Sequence, residues 1–468
     1  MIYKQVYFSP FLAVLISILP GCATYHHSST TLSPSSSDIA VPSAWNQTLL
    51  GQASIEMDWW QNFNTPELVE LVNRAIEHNP DLAISTERIR QAELQMRISQ
   101  ASLFPSANVG GNTAWQRSDG ANRSSSIDKS SGISLGVSYE IDLWGRLAAG
   151  AEGAQATLKA SQFDQQTVRL TLISGVATAY FQILALRERL TIAQENLASA
   201  ERISALVNSR FRYGSASGLD VSRQNTAVLS QRATLQSLKL QEQQTLNALA
   251  VLLGTAPQGF ILKGQTLHAL QVPQASPGLP AQLLTRRPDL ASQEALLLAA
   301  GANIKAAQAA LLPSIQLTGS AGLASNALLS LANPSNSINL AASIAQTIFD
   351  GGRLRNQVKI SESRQRETLE NYRKSIYTAL KEVEDALSAV NFNDRQEALQ
   401  TQIYQEAQRS FSLSERRYKE GADDLLSLLD TQRTLFQAKD QVSQLRLTRL
   451  SNAIDLFKAL GGGWKRPS

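Results

Sequence analysis

The residues that could carry chemistry in this 468-residue chain are few: one cysteine, four histidines and a pair of adjacent aspartates. With Cys22 alone, neither an intrachain disulfide nor a thiolate metal centre can form. His26, His27, His78 and His268 are scattered, and none shares a helix face with an acid at ligand spacing, so no metal or other cofactor is expected. Gly351-Gly352 lacks the lysine of a phosphate loop and reads as a strand-to-helix turn. No nucleophile, base and oxyanion donor converge, so catalysis is not expected. The formal charge of +4 is too mild for a nucleic-acid partner, and no basic stripe is interleaved with aromatics. What remains informative is where Cys22, Asp423 and Asp424 sit.

Cys22 follows a segment with the layout of a secretory signal: Lys4, an apolar run from Val6 to Leu19, then small residues. The run is too short to span a bilayer. The string ILPGC looks like a lipobox, in which the cysteine becomes the first mature residue and its thiol is lipidated; Pro20 is unusual there. Ala23 follows, rather than the aspartate that retains such lipoproteins at the inner membrane, so an outer-membrane address is expected. Residues 24–44, rich in Ser, Thr and Pro, read as a tether that buries no core.

An internal duplication organises the rest. NPDLA at Asn79–Ala83 returns as RPDLA at Arg287–Ala291, an offset of 208 that also aligns Pro105-Ser106 with Pro313-Ser314. At an offset of 207, Gly145-Arg146-Leu147 meets Gly352-Arg353-Leu354, and Arg210, Phe211 and Gly214 meet Arg417, Tyr418 and Gly421. Two blocks in register indicate tandem copies of one unit. The expected divisions are a signal peptide (1–21), a tether (22–56), a first copy (57–264), a second copy (265–463) and a tail (464–468).

Each copy reads as helix, two strands, very long helix, helix. The first helices, Asp81 to Leu103 and Asp289 to Leu311, each end before a proline. Then comes alternation: Ile133, Leu135, Val137, Tyr139 and Ile141 interleave with polar or small residues, as do Ile315, Leu317, Gly319, Ala321 and Leu323. Ala107–Trp115 and Ile338–Ile348 alternate nearly as well. Runs of about 9–11 residues are what a tilted strand needs to cross a bilayer. Serine-rich Gln116–Ser130 and Ala324–Ser337 are expected as loops, although Leu328, Leu329 and Leu331 are apolar for a wet loop. Four strands cannot close a barrel, and an open edge cannot face lipid, so the barrel must be shared among chains.

From Arg146 to Arg212, and from Arg353 to Lys419, no proline interrupts the pattern. About 66 residues at ~1.5 Å each make a rod near 100 Å. Leu170, Ile173, Ala177, Tyr180 and Leu184 form a narrow coiled-coil seam, as do Ile376, Leu380, Val383, Leu387 and Val390. Gln, Ser, Thr and Arg on the other faces suit a tube wall around water.

The chain resembles the TolC-like outer-membrane efflux proteins, in particular the lipoprotein branch serving resistance-nodulation-division pumps. The resemblance rests on MDWWQNFNTPELVELV at Met57–Val72, NPDL at Asn79, YEIDLWGR at Tyr139–Arg146, RRPDL at Arg286–Leu290, FDGGR at Phe349–Arg353 and RYKEGADDLLSLLDTQR at Arg417–Arg433. It implies a homotrimer with a twelve-stranded β-barrel in the outer membrane, a periplasmic α-helical barrel, and an equatorial belt holding Trp45, Trp59, Trp60 and the C-terminal segment. Implied partners are a periplasmic adaptor, an inner-membrane proton-driven pump and outer-membrane lipid.

The helical turns far from the strands, Tyr213–Gly218 and Glu420–Asp424, are the expected working ends. Ser217 and Asp220 can cap the returning helix, and an acid at Asp423 or Asp424 can cap the other. A second acid, repeated about a threefold axis, would make a ring of like charge that narrows the pore and favours cations. In the family, aspartates at the place of Asp423 constrict the closed pore. Adaptor contact is expected at Arg210, Phe211, Gly214, Arg417, Tyr418 and Gly421. The competing classes are a solid adhesive coiled-coil lipoprotein, which leaves the paired alternating strands unexplained, and a type I protein-secretion channel.

Overall fold

The computed structural model describes residues 41–47, 55–120, 123–264, 267, 270–273 and 275–467. The signal segment, Cys22, His26, His27, His268 and most of the tether lie outside them. After a short 3₁₀ turn, Trp59–Phe63, the elements are α1 (Pro66–His78), α2 (Pro80–Ala101), β1 (Ser106–Gly120), β2 (Arg123–Ile141), α3 (Arg146–Arg212), α4 (Gly218–Leu252), α5 (Leu283–Arg286), α6 (Pro288–Ala309), β3 (Ser314–Ser325), β4 (Ser335–Ala345), α7 (Arg353–Lys419) and α8 (Leu425–Ala459). Helix, hairpin, long helix and helix thus occur twice. The structure is mainly α with one small sheet.

Proline and aspartate set the boundaries. Pro80 and Pro288 sit in the first turns of α2 and α6, where a missing N–H costs nothing. Asn79 caps α2, its Oδ1 accepting from the N–H groups of Asp81 and Leu82 at 2.8 and 3.2 Å. At the strand-to-helix corners, Asp142 accepts from Leu147 and Ala148 N–H at 3.0 and 2.8 Å. Asp350 does the same for Gly352 and Leu354, both at 3.0 Å. Each carboxylate thereby satisfies orphan donors at the positive end of a 67-residue helix.

The sheet is antiparallel in the order β1-β2-β3-β4, with β1 and β4 at its edges. Its register sorts the side chains of its central rows onto two unlike faces. Val109, Leu135, Ala321 and Ile338 stand in one row; Ala107, Val137, Gly319 and Leu340 in the next; Tyr139, Leu317 and Ala342 in the third. On the opposite face lie Asn108, Gly136, Ser320 and Asn339, then Gly110, Ser134, Gly322 and Ser337. One face is apolar through these three rows and the other is small and polar, and among the described residues nothing covers Ile338, Leu340 or Ile344.

Two strand expectations are corrected. Gln116–Ser130 is not a loop: β1 and β2 stay paired as far as Ser118 opposite Ser126 and, after a shift in register, at Gly120 opposite Arg123. The backbone ladder continues there although the sequence loses its alternation. Conversely β4 ends at Ala345, short of Ile348.

The main core lies where the first copy, the second copy and both flanking segments meet. Trp59 stacks on Phe457 with centroids 5.2 Å apart, and Phe63 packs on Phe181 at 4.9 Å. Trp45 Nε1 donates to the Gly278 carbonyl at 2.8 Å. Glu67 accepts from Tyr180 Oη and from the Lys263 and Gly264 N–H groups, tying the segment after α4 to α1. The chain then turns through Gly461, Gly462 and Gly463, all with positive φ. A Cβ at Gly461 would stand 2.0 Å from the Arg286 carbonyl oxygen, so glycine is required there. Past that turn Trp464 packs edge-on against Phe163, and Arg466 pairs with Glu294 at 2.8 Å.

Candidate functional site: helical wall and tips

The long helices pack side by side in the order α4, α3, α8, α7. Their contacts combine thin apolar seams with cross-helix ion pairs. Arg187 reaches Glu242 at 2.9 Å between α3 and α4, and Arg189 reaches Asp440 at 2.6 Å between α3 and α8. Between α7 and α8, Glu397 lies between Arg446 and Arg449. Partly exposed pairs contribute little free energy each, but their spacing fixes helix register. An open groove of about 630 Å³ between α3, α4 and α8 is lined by residues such as Thr171, Ser174, Thr178, Gln182, Gln241 and Gln244.

Both tips are built alike. Gly214 and Gly421 take φ of 76° and 79°, reversing the chain after α3 and α7. Ser215 N–H donates to the Arg210 carbonyl at 2.8 Å, and Ala422 N–H donates to the Arg417 carbonyl at 2.9 Å. Ser217 and Asp220 then cap α4 reciprocally. The hydrogen bonds from Ser217 hold the Asp220 carboxyl below its ordinary pKa. Asp424 caps α8 by accepting from Ser427 N–H at 2.8 Å.

The equivalent residues of the two tips nonetheless have different surroundings. Tyr418 is 3% exposed, in a small core with Ile203, Val207, Phe411, Leu425 and Leu428. Its repeat partner Phe211 is 49% exposed. Arg210 is half-buried: its guanidinium lies 4.3 Å above the Tyr418 ring and donates to the Tyr418 and Lys419 carbonyls. That clamp places a cation on the negative end of α7 and satisfies its orphan acceptors. Burial raises the Tyr418 pKa, so the phenol stays neutral. Arg417 points outward and pairs with Asp423 at 3.4 Å. Among the six residues expected to meet an adaptor, Phe211, Gly214, Arg417 and Gly421 are exposed; Tyr418 is enclosed and Arg210 is engaged with it. Asp423 and Asp424 lie side by side, one in an ion pair and one in a helix cap.

A buried anchor escaped the motif reading. Arg287 aligns with Asn79, and the two do one task by different chemistry. Asn79 Nδ2 donates to the Leu252 carbonyl at 2.9 Å, at the end of α4. Arg287 donates to the Ala459 carbonyl at 3.1 Å, at the end of α8, while pairing with Asp289 and Glu382 at 2.7 and 2.6 Å. Burial disfavours its charge, but Asp289 and Glu382 outweigh this and raise its pKa. An asparagine replaced by an arginine at the same repeat position was the available signal.

Residues 71–255 and 279–462 match the family described as outer membrane efflux protein. The pyoverdine export outer membrane protein OpmQ of Pseudomonas aeruginosa is 40% identical, covering 96% of this chain and 97% of its own. The toluene efflux pump outer membrane protein TtgC of Pseudomonas putida is 35% identical, covering 97% and 95%. Among solved structures, CusC, studied for folding and transmembrane channel formation, superposes with a TM-score of 0.79 at 30% identity, over 91% of this chain and 100% of that one. The open state of the MtrE outer membrane channel of Neisseria gonorrhoeae gives 0.80 at 28% identity, over 92% and 97%. Helical wall, amphipathic sheet and matching relatives converge: the chain belongs to the outer membrane efflux protein family, as a channel of the outer membrane and not an enzyme.

Proposed function

We propose that three copies form one continuous conduit, in which β1 of each chain pairs with β4 of the next to close a twelve-stranded barrel above a helical tube. The observation that carries this reading is a sheet whose central rows are apolar on one face, yet which is open at both edges. Each unpaired backbone group in lipid costs several kcal/mol, so edges of 15 and 11 residues demand partners. Two copies give eight strands, whose interior side chains fill; three give twelve and leave a lumen. The polar face of the sheet would line that lumen, and the grooved helical wall would continue it through the periplasm.

The relatives are named for pyoverdine export and toluene efflux. By analogy this conduit passes small organic molecules delivered by a resistance-nodulation-division pump through a periplasmic adaptor, with selection made by the pump. Cys22 carries the lipid that fixes the mature N-terminus to the membrane. The adaptor meets the exposed part of the tips: Phe211, Gly214, Arg417 and Gly421. Asp423 narrows the periplasmic mouth and is held by Arg417, while Asp424 chiefly holds the start of α8.

Ion conductance from purified protein in a planar bilayer tests the conduit and the gate together. The wild type should conduct, with cation preference. Asp423→Ala should raise conductance and weaken that preference. Asp424→Ala should instead cost about 1 kcal/mol of local helix stability. A protein that never conducts contradicts the conduit, and an unchanged Asp423→Ala channel contradicts the gate.

A further inference from the structure

Two buried donors beside the main core find no acceptor in the protein. The Trp59 indole N–H and the Arg169 Nε–H are both shielded from solvent, and neither donates to any described group. Both residues line a cavity of about 30 Å³, where the segment before α1, the helix α3 and the glycine turn after α8 come together. Trp59 as a whole is 1% exposed.

Gly462 opens this space. Its φ is 58°, and a Cβ there would stand 2.3 Å from Leu170 Cδ1 and 3.3 Å from Trp59 Nε1. The missing side chain therefore leaves room beside the indole N–H, in the recess that Leu170 and Ile173 also line.

The chemistry of the lining selects the occupant. Indole and guanidinium nitrogens only donate. No carboxylate lines the cavity, and no acid among the described residues pairs with Arg169. Burying a cation without a counter-charge is costly, and so is each orphaned N–H. At the repeat offset of 207, Ile376 takes the place of Arg169 and is 2% exposed, so the second copy is apolar where the first is cationic. A water molecule would accept from both donors but leave the charge of Arg169 unbalanced. A monatomic anion accepts from both and balances it. A volume of about 30 Å³ admits one such ion and no organic acid.

We propose that Trp59, Arg169 and Gly462 form a chloride site that locks the N-terminal segment and the C-terminal turn onto α3. The indole gives a neutral hydrogen bond and the guanidinium a charged one. Gln166, one turn earlier on α3, can add its amide N–H. The site does not depend on how the sheet is completed.

For the test, full-length protein in detergent is unfolded with urea at fixed ionic strength while chloride is exchanged for gluconate, which is too large for the cavity. A ligand held only by the folded state raises the unfolding midpoint with its concentration. Wild type should gain stability with chloride, and bromide should substitute for it. Trp59→Phe keeps a ring to stack on Phe457 and loses the N–H, while Arg169→Met keeps an apolar stem and loses the charge. Each should weaken the apparent chloride affinity by about tenfold or more. General salt effects act alike on all three proteins, so the difference between them reads the site. Crystals of the wild type in bromide should show an anomalous scatterer within hydrogen-bond distance of Trp59 Nε1 and Arg169 Nε. A chloride response equal in the three proteins, or bromide crystals with no anomalous scatterer at that point, overturns the site and leaves the conduit untouched.

Discussion

Leu340→Arg should abolish channel assembly, while Asn339→Arg, one residue away, should leave assembly intact and change ion selectivity. The two side chains stand on opposite faces of β4: Leu340 lies in the middle apolar row, and Asn339 faces Ser320 on the polar side. Leu340 is 86% exposed and touches its own chain mainly over Gly319, so the substitution breaks little within the protomer. In a bilayer the same arginine sits at the midplane, costing about 2–4 kcal/mol per chain, and the three chains of a barrel multiply it. A total of roughly 6–12 kcal/mol is comparable to the stability of a whole domain. On the polar face an arginine is hydrated by the lumen and repels cations. Assembly is followed by size-exclusion mass measurement and selectivity by reversal potential in a salt gradient. Equal tolerance of both substitutions would mean that the apolar rows do not face lipid.

Arg287→Ala should destabilise the protein more than the equivalent substitution at Asn79. It removes the donor to the Ala459 carbonyl and leaves Asp289 and Glu382 facing each other without a cation. Removing one member of a buried pair typically costs about 3–5 kcal/mol, but Glu382 is half exposed and water relieves part of it, so about 2–3 kcal/mol is expected. Asn79→Ala at the equivalent place loses one helix cap and the tie to Leu252, worth about 1–2 kcal/mol. Urea unfolding of the two variants checks the order. If Asn79→Ala proves the more costly, the anchor assigned to Arg287 is wrong.

The parts of this fold that rest on local rules were legible beforehand. No proline interrupts Arg146–Arg212 or Arg353–Lys419, and both run as single helices between those residues. Period-two alternation marked the four strands because their side chains alternate between two unlike faces of one sheet. The ribbon from Gln116 to Ser130 lacks that alternation and looked like a loop although its backbone stays paired. The tips show a second limit. Duplication aligned Arg210 with Arg417 and Phe211 with Tyr418, but it carried no information on which member faces inward. Tyr418 is enclosed because α3 lays Val207 and Arg210 against it. Phe211 has no such cover and stays half exposed. Arg287 was visible only as part of a motif, because its partners come from Glu382 and Ala459, far along the chain.

Completion of a sheet with two open edges by copies of itself is checked by the mass of the purified particle in mild detergent, measured by native mass spectrometry. Three chains per particle are expected, with the Leu340→Arg variant falling to single chains. A wild-type particle of one chain that nevertheless conducts ions in a bilayer would contradict it.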